Sequence, residues 1–307
     1  MAANNPVAHL EITGDAFAAR RIDYVSAEFI DDLCAKAAAE YGPDDFALPD
    51  FPKFIDSFFK KFRLTDVIIY KKTGRSGSRF SDACGTLFNS AEVFSGPSDS
   101  SVPFTPSVRY YRGVEIEADN ENVLISAVRK ERQNADFLAV RSADEKIIRA
   151  AAGMPDIDAV FPIYNDSQKQ FAGKINHIVA KIAADKKTAF GFDIAPFLSI
   201  KGYRRSRLFS DVTAMIPILE KYNVPILLFS GASTFYDFRG PYESEAFGRL
   251  LGLSSEKASE AAGLNSAGLL QRRADLKSGK LVADGVEIVA DRAEFVNESD
   301  DVSFDEN

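Results

Sequence analysis

Four bases crowd one stretch of seven residues, Lys201-Gly202-Tyr203-Arg204-Arg205-Ser206-Arg207, and no acid lies among them. Lys201, Arg204 and Arg207 are three apart and would share one face if the segment is helical. Guanidinium forks match the oxygens of a phosphate, and amide groups at a helix start add donors of the same sign. Arginines at that end oppose the helix dipole, a cost that a visiting anion relieves. The plainer alternative is a solvated helix start in which Arg207 pairs with Asp211, four residues on. A second candidate is the small-residue turn Ser230-Gly231-Ala232-Ser233. Its glycine lets the backbone approach a ligand closely, although a tight packing turn has the same composition.

Further bases follow the segments that read as strands. They are Lys36, Lys71, Lys72, Arg141, Lys201 and Arg239. If the strands are parallel, these residues gather at one end of a sheet, the end where barrel proteins carry their sites. The candidate RNA-binding set is therefore Lys201, Arg204, Arg205, Arg207, Arg239, Arg141, Lys71, Lys72, Ser230 and Ser233. No catalytic residue and no metal ligand is assigned. Only His9 and His177 could serve as imidazole ligands, and Cys34 and Cys84 show no ligand spacing. A Schiff-base lysine would have to be Lys71 or Lys72. With Ser230-Gly231-Ala232-Ser233 as a phosphate cradle, such a lysine describes the competing reading, a stand-alone barrel enzyme acting on a phosphorylated substrate. Asp31 and Asp32 fall in the first expected strand, where neighbours face opposite ways and cannot act together.

The elements that must position these groups alternate. Short runs rich in β-branched and aromatic residues recur at 29–35, 66–70, 108–117, 136–140, 158–163, 188–194 and 224–230. Between most of them lie segments of helical period, such as Leu208, Val212, Met215, Ile216 and Leu219, interrupted by Pro217, where a kink or a fresh helix start is expected. Gly240-Pro241 followed by Glu243 marks another helix start. Repeated βα units imply a mainly parallel sheet. Seven strands are readable where a closed barrel needs eight, so the expected fold is α/β, an incomplete or distorted TIM-like barrel with helices around it. A doubly wound open sheet is the runner-up, but no glycine-rich dinucleotide fingerprint follows the first strand. The expected division is an N-terminal extension over 1–27, a barrel domain over 28–278 and a C-terminal extension over 279–307. Within the barrel, 73–107 forms a long Ser, Gly and Pro-rich connection with a helical piece near 83–93. Asp284-Gly285 signals a hairpin near the end.

The chain has 307 residues, 46% of them hydrophobic, with 25 Phe and no Trp. That suffices for one large domain with a ring-filled core. The net charge of -8 is uneven. Residues 291–307 hold seven acids against Arg292 alone, which leaves the remainder near neutral and lets local basic clusters matter. The acidic tail is expected to be disordered. Two cysteines, no membrane-length apolar run and no signal-peptide pattern suggest a cytoplasmic protein.

Several blocks, in order, resemble the p30-type subunit of ribonuclease P, the archaeal protein component 3 family. They are Phe29-Ile30-Asp31-Asp32-Leu33, Val140-Arg141 with Asp144-Glu145-Lys146 and Arg149-Ala150, and Ile175-Asn176-His177. Next come Phe192-Asp193-Ile194-Ala195-Pro196-Phe197-Leu198 with Gly202-Tyr203-Arg204-Arg205-Ser206-Arg207, then Ser230-Gly231-Ala232 with Tyr236-Asp237-Phe238-Arg239 and Pro241, and Leu250-Leu251-Gly252-Leu253. The resemblance covers roughly residues 28–275. It implies a barrel similar to metal-dependent hydrolases but without their metal histidines. It further implies a non-catalytic subunit of the ribonucleoprotein that removes the 5′ leader from precursor tRNA. In that complex the RNA is the catalyst and uses Mg2+. The implied partners are the catalytic domain of the ribonuclease P RNA, a Pop5-type protein and further ribonuclease P proteins, with no membrane. The segments 1–27 and 276–307 have no counterpart in the family, and this chain is more acidic than the family pattern.

Overall fold

A computed structural model describes residues 21–41, 51–73, 88, 108–165, 170–171, 175–279, 281–283 and 286–287. Seven strands form one parallel sheet: β1 (Ile22–Ser26), β2 (Asp66–Thr73), β3 (Arg109–Ile116), β4 (Phe137–Ser142), β5 (Ala159–Pro162), β8 (Ala189–Asp193) and β9 (Ile226–Phe229), hydrogen-bonded in that order. Two short strands, β6 (Tyr164–Asn165) and β7 (Gln170–Phe171), form an antiparallel pair between β5 and β8. The helices are α1 (Ala27–Tyr41), α2 (Phe51–Lys61), α3 (Glu121–Glu131), α4 (Glu145–Ala152), α5 (His177–Lys186), α6 (Ala195–Ser199), α7 (Tyr203–Lys221) and α8 (Pro241–Leu250). Then α9 (Ser255–Ser259), a π-helical turn (Glu260–Leu264) and α10 (Asn265–Lys277) run on continuously. The hairpin expected around Asp284-Gly285 is present as β10 (Leu281–Ala283) and β11 (Val286–Glu287).

The strands are buried on both faces, as parallel strands under helices must be. Val67, Ile68 and Ile69 are all fully buried. Alternate residues turn inward and outward. The inward set is Tyr24, Ile68, Tyr70, Phe137, Ala139, Ala159, Phe161, Ala189, Leu227 and Phe229. Tyr24 lies at its centre, stacked on Tyr70 at 4.1 Å, Phe161 at 5.4 Å and Phe229 at 5.3 Å between ring centroids. Small residues make room for these rings. At Gly191 a Cβ would overlap the Phe161 ring, and at Gly113 it would lie 2.9 Å from Tyr70 Cβ. Ala267, Leu269 and Leu270 of α10 join this cluster beside the strand starts. The interior is thus a packed core rather than a pore.

No β1–β9 ladder closes the sheet among the described residues. A side chain spans the seam instead. The Asp23 carboxylate of β1 accepts from the Ser230 amide at 2.8 Å and from its hydroxyl at 2.6 Å. Just beyond, the Ser26 amide donates to the Ala232 carbonyl at 3.3 Å. At the opposite end of β9, Asn265 Nδ2 donates to the Ile226 carbonyl at 2.8 Å.

Two expectations are corrected. The first strand is 22–26, not 29–35, so the barrel begins within the segment read as an N-terminal extension. Residues 27–41 are helix α1, in which Phe29, Ile30 and Leu33 are buried while Asp31 is exposed. The spacing of one, three and four is helical, and it outweighed the aromatic and β-branched content. Of the two alternatives at Pro217, the fresh start is the one corrected, because helix α7 runs through that residue. The helix expected near 83–93, apart from buried, helical Phe88, lies outside the described residues, as does the acidic tail.

Candidate nucleic-acid interface

The carboxyl ends of β3, β4, β5 and β8 converge on Arg141. Its Nε lies 2.8 Å from Glu115 Oε2 and its Nη1 lies 2.6 Å from Asp193 Oδ2. The guanidinium also sits over the Phe161 ring, 4.9 Å from its centroid. Tyr24 donates its hydroxyl to Glu115 at 3.4 Å. Burial raises the pKa of Glu115, and the charge of Arg141 partly opposes that rise. Burial alone would lower the pKa of Arg141, but Asp193 and Glu115 more than compensate and keep it charged. Beside this trio, burial lifts Asp23 to about 6 in spite of the two bonds from Ser230. Each acid stands alone in an apolar strand: Ile22-Asp23-Tyr24, Val114-Glu115-Ile116 and Phe192-Asp193-Ile194. A lone acid in such a run was the available signal, and reading for basic residues passed over it.

The candidate RNA-binding residues separate into three groups. Arg141 and Ser230 are engaged inside the barrel, Arg141 by Glu115 and Asp193 and Ser230 by Asp23. The turn containing Ser230 is a packing turn. Gly231 has φ +60°, and a Cβ there would lie 2.5 Å from Asp193 Cβ. A second group is engaged locally. Lys71 pairs with Glu131 at 3.0 Å, and half-buried Lys72 lowers the pKa of Glu115 by its charge. Arg205 Nε donates to the Ile200 carbonyl at 2.6 Å, which ties the end of α6 to the start of α7. Arg207 pairs with Asp211 at 3.1 Å, the plainer alternative for that residue. Arg239 Nη1 donates to the carbonyls of Tyr236 and Phe238 and so braces its own loop. The third group, Lys201, Arg204 and Ser233, is exposed. Lys201 and Arg204 flank Gly202, whose φ of +62° forms the turn into α7, and Tyr203 between them is 78% exposed. That helix has no acid in its first turn and no side-chain cap.

Sequence reading named Lys36 and residues of the loop after β9 but passed over the contact between them. The Phe235 amide donates to Asp32 at 2.9 Å, and the Lys36 ammonium lies 5.0 Å and 4.3 Å from the ring centroids of Phe235 and Tyr236. Once α1 is a helix, Asp32 and Lys36 stand one turn apart and hold that loop together.

Residues 78–278, about two thirds of the chain, match the model of the RNase P subunit p30 family. The chain belongs to the RNase P subunit p30 family. Among family members, ribonuclease P protein component 3 of Methanosarcina mazei is 34% identical over 165 residues, 53% of this chain and 67% of that protein. Its counterpart in Methanosarcina acetivorans is 33% identical over 160 residues, 52% of this chain and 65% of that protein. A chain from a cryo-EM structure of archaeal ribonuclease P with mature tRNA has the same fold, with a TM-score of 0.63 at 20% identity. The match covers 89% of this chain and 100% of that one. In this p30-family barrel, the Arg141 ion pairs occupy the base of the mouth that holds the substrate site in barrel enzymes.

Proposed function

We propose that this p30-family chain serves ribonuclease P, the ribonucleoprotein that removes the 5′ leader from precursor tRNA, as an RNA-contacting subunit without chemistry of its own. Its partners on this reading are the catalytic domain of the RNA, a Pop5-type protein and the other protein subunits, in the cytoplasm. Cleavage and the use of Mg2+ belong to the RNA. Family membership supports the assignment to the complex. The observation that carries the contact surface is the division of charge at the barrel mouth. Arg141 is paired with Glu115 and Asp193 inside the barrel, while Lys201 and Arg204 stand exposed around the start of α7. A buried cation neutralised by two acids organises the fold, and solvent-facing cations at an uncapped helix start attract phosphate. Against the enzyme reading, two of its candidate groups are engaged within the fold, Ser230 by Asp23 and Lys71 by Glu131.

The test is reconstitution. Adding the full chain to the RNA and remaining protein subunits should restore precursor-tRNA cleavage at low magnesium, and the chain alone should cleave nothing. An assembly equally active without this chain would reject the assignment.

A further inference from the structure

A cavity of about 370 Å3 opens beside the exposed start of α7. Phe161, Phe192 and Phe197 back it, the half-buried Ile163, Pro196 and Ile200 form its sides, Arg141 and Asp193 form its floor, and Arg204 stands on its rim. The volume is at the small end of ligand pockets, suited to one ring system rather than an extended molecule.

Its walls are fixed in advance. Phe161 is held between Tyr24, Phe229 and the Arg141 guanidinium. Phe197 is wedged edge-on against Phe209 and Phe247, each at 4.7 Å. A guest would therefore find the apolar surface already ordered, and little side-chain entropy remains to be lost.

Charge decides which way a guest enters. On the floor the Arg141 guanidinium is paired with Asp193 and, behind it, with Glu115, so it offers an anion no net attraction. Arg141 and Asp193, which line that floor, each keep one buried polar atom without a hydrogen-bond partner among the described residues, Arg141 Nη2 and Asp193 Oδ1. A donor beside an acceptor suits the edge of a neutral heterocycle. The positive charge lies outside, at Arg204 and Lys201.

We propose that this cavity takes one unstacked nucleotide of single-stranded RNA, base inward against the floor and phosphate outward at Arg204. The proposal rests on the RNA-contacting reading above and adds a defined subsite to it. Stacking and shape hold the base whatever its identity, so the four 5′-mononucleotides should differ by less than about tenfold.

The experiment is a ligand-observed NMR titration of the full chain with guanosine 5′-monophosphate, guanosine and inorganic phosphate. Guanosine 5′-monophosphate should bind, and inorganic phosphate should bind at least about tenfold more weakly. Ile200→Trp, which fills the cavity from its half-exposed side, should abolish nucleotide binding with an unchanged melting temperature. Arg204→Ala should weaken the nucleotide and leave guanosine unaffected. Should Ile200→Trp fail to fold, photo-crosslinking of the wild-type chain to a 4-thiouridine oligonucleotide supplies the answer. Crosslinks at Ile163 or Ile200 support the pocket, and crosslinks confined to other surfaces overturn it. Phosphate that competes as well as the nucleotide also overturns it, reducing the site to an anion contact. A chain that binds long RNA but no mononucleotide rejects the pocket and leaves the RNA reading intact. A chain that binds the nucleotide in the cavity but no long RNA does the reverse.

Discussion

Asp23 and Ser230, 207 residues apart in sequence, close the barrel seam through a 2.6 Å hydroxyl–carboxylate bond and a 2.8 Å amide–carboxylate bond. A backbone ladder would have needed an eighth strand or a tighter curl. One carboxylate takes over its role at the point where β1 and β9 meet. Replacing Asp23 with Ala leaves the buried Ser230 donors unanswered and should cost about 1–3 kcal/mol in a denaturant melt. A loss below a few tenths of that would mean the seam is held by packing alone.

The same carboxylate should impose a pH dependence of definite sign. Its pKa rises from an ordinary 3.8 to about 6 in the folded chain, chiefly through burial, with Asp193 adding to the rise. The folded state therefore holds the proton more tightly than the unfolded one. The stabilisation is fully present below the unfolded value and is lost as pH rises through about 6. The change is on the order of 3 kcal/mol between pH 4 and pH 7. Asp23→Asn, which cannot ionise, should flatten the stability profile across that window. An unchanged profile in the variant would place the titration elsewhere.

Much of the barrel was legible because its signal is local. Six of the seven strands lie where the apolar runs indicated, and helix starts such as Gly240-Pro241 declare themselves in two residues. The first strand was not legible. Ile22-Asp23-Tyr24-Val25-Ser26 contains an acid at the position that must cross the seam, and this breaks the apolar run that marks a buried parallel strand. The basic run at 201–207 was legible as a cluster, but the division of labour within it was not. Whether an arginine faces water, a carbonyl or an acid depends on neighbours such as Ile200 and Asp211, and spacing alone cannot choose among them.

Arg141 should be a keystone of stability rather than a contact to phosphate. Arg141→Met leaves Glu115 and Asp193 buried and uncompensated, and breaking such a set typically costs about 3–5 kcal/mol. Arg141→Lys should fall between the two, since a point charge cannot bridge both acids as a planar fork does. Thermal and urea melts check the order. A variant without Arg141 that melts like the wild type would refute it.

Gly191 tests how tightly the ring core is packed. A methyl group at this position overlaps the Phe161 ring, so Gly191→Ala should destabilise by about 1–3 kcal/mol. Phe161→Leu in the same chain should recover part of that loss, giving a coupling energy that a double-mutant cycle reads directly. Strict additivity would show that the backbone, not the ring, yields.

The bases at the start of α7 should behave differently according to how far they face solvent. Lys201→Ala with Arg204→Ala removes two solvent-facing cations and should leave the melting temperature nearly unchanged. RNA affinity should fall, and the slope of log affinity against log salt should shrink by about 1–2, because fewer counterions are displaced. Arg205→Ala instead frees the Ile200 carbonyl at the α6–α7 junction and should lower stability by about 1 kcal/mol with the salt slope intact. Filter binding of ribonuclease P RNA at several salt concentrations, with a melt of each variant, separates the two effects. If Arg205→Ala alone flattens the salt dependence while the double variant does not, the phosphate contact lies on the face tied to α6, and the surface around Gly202 is not the one that meets RNA.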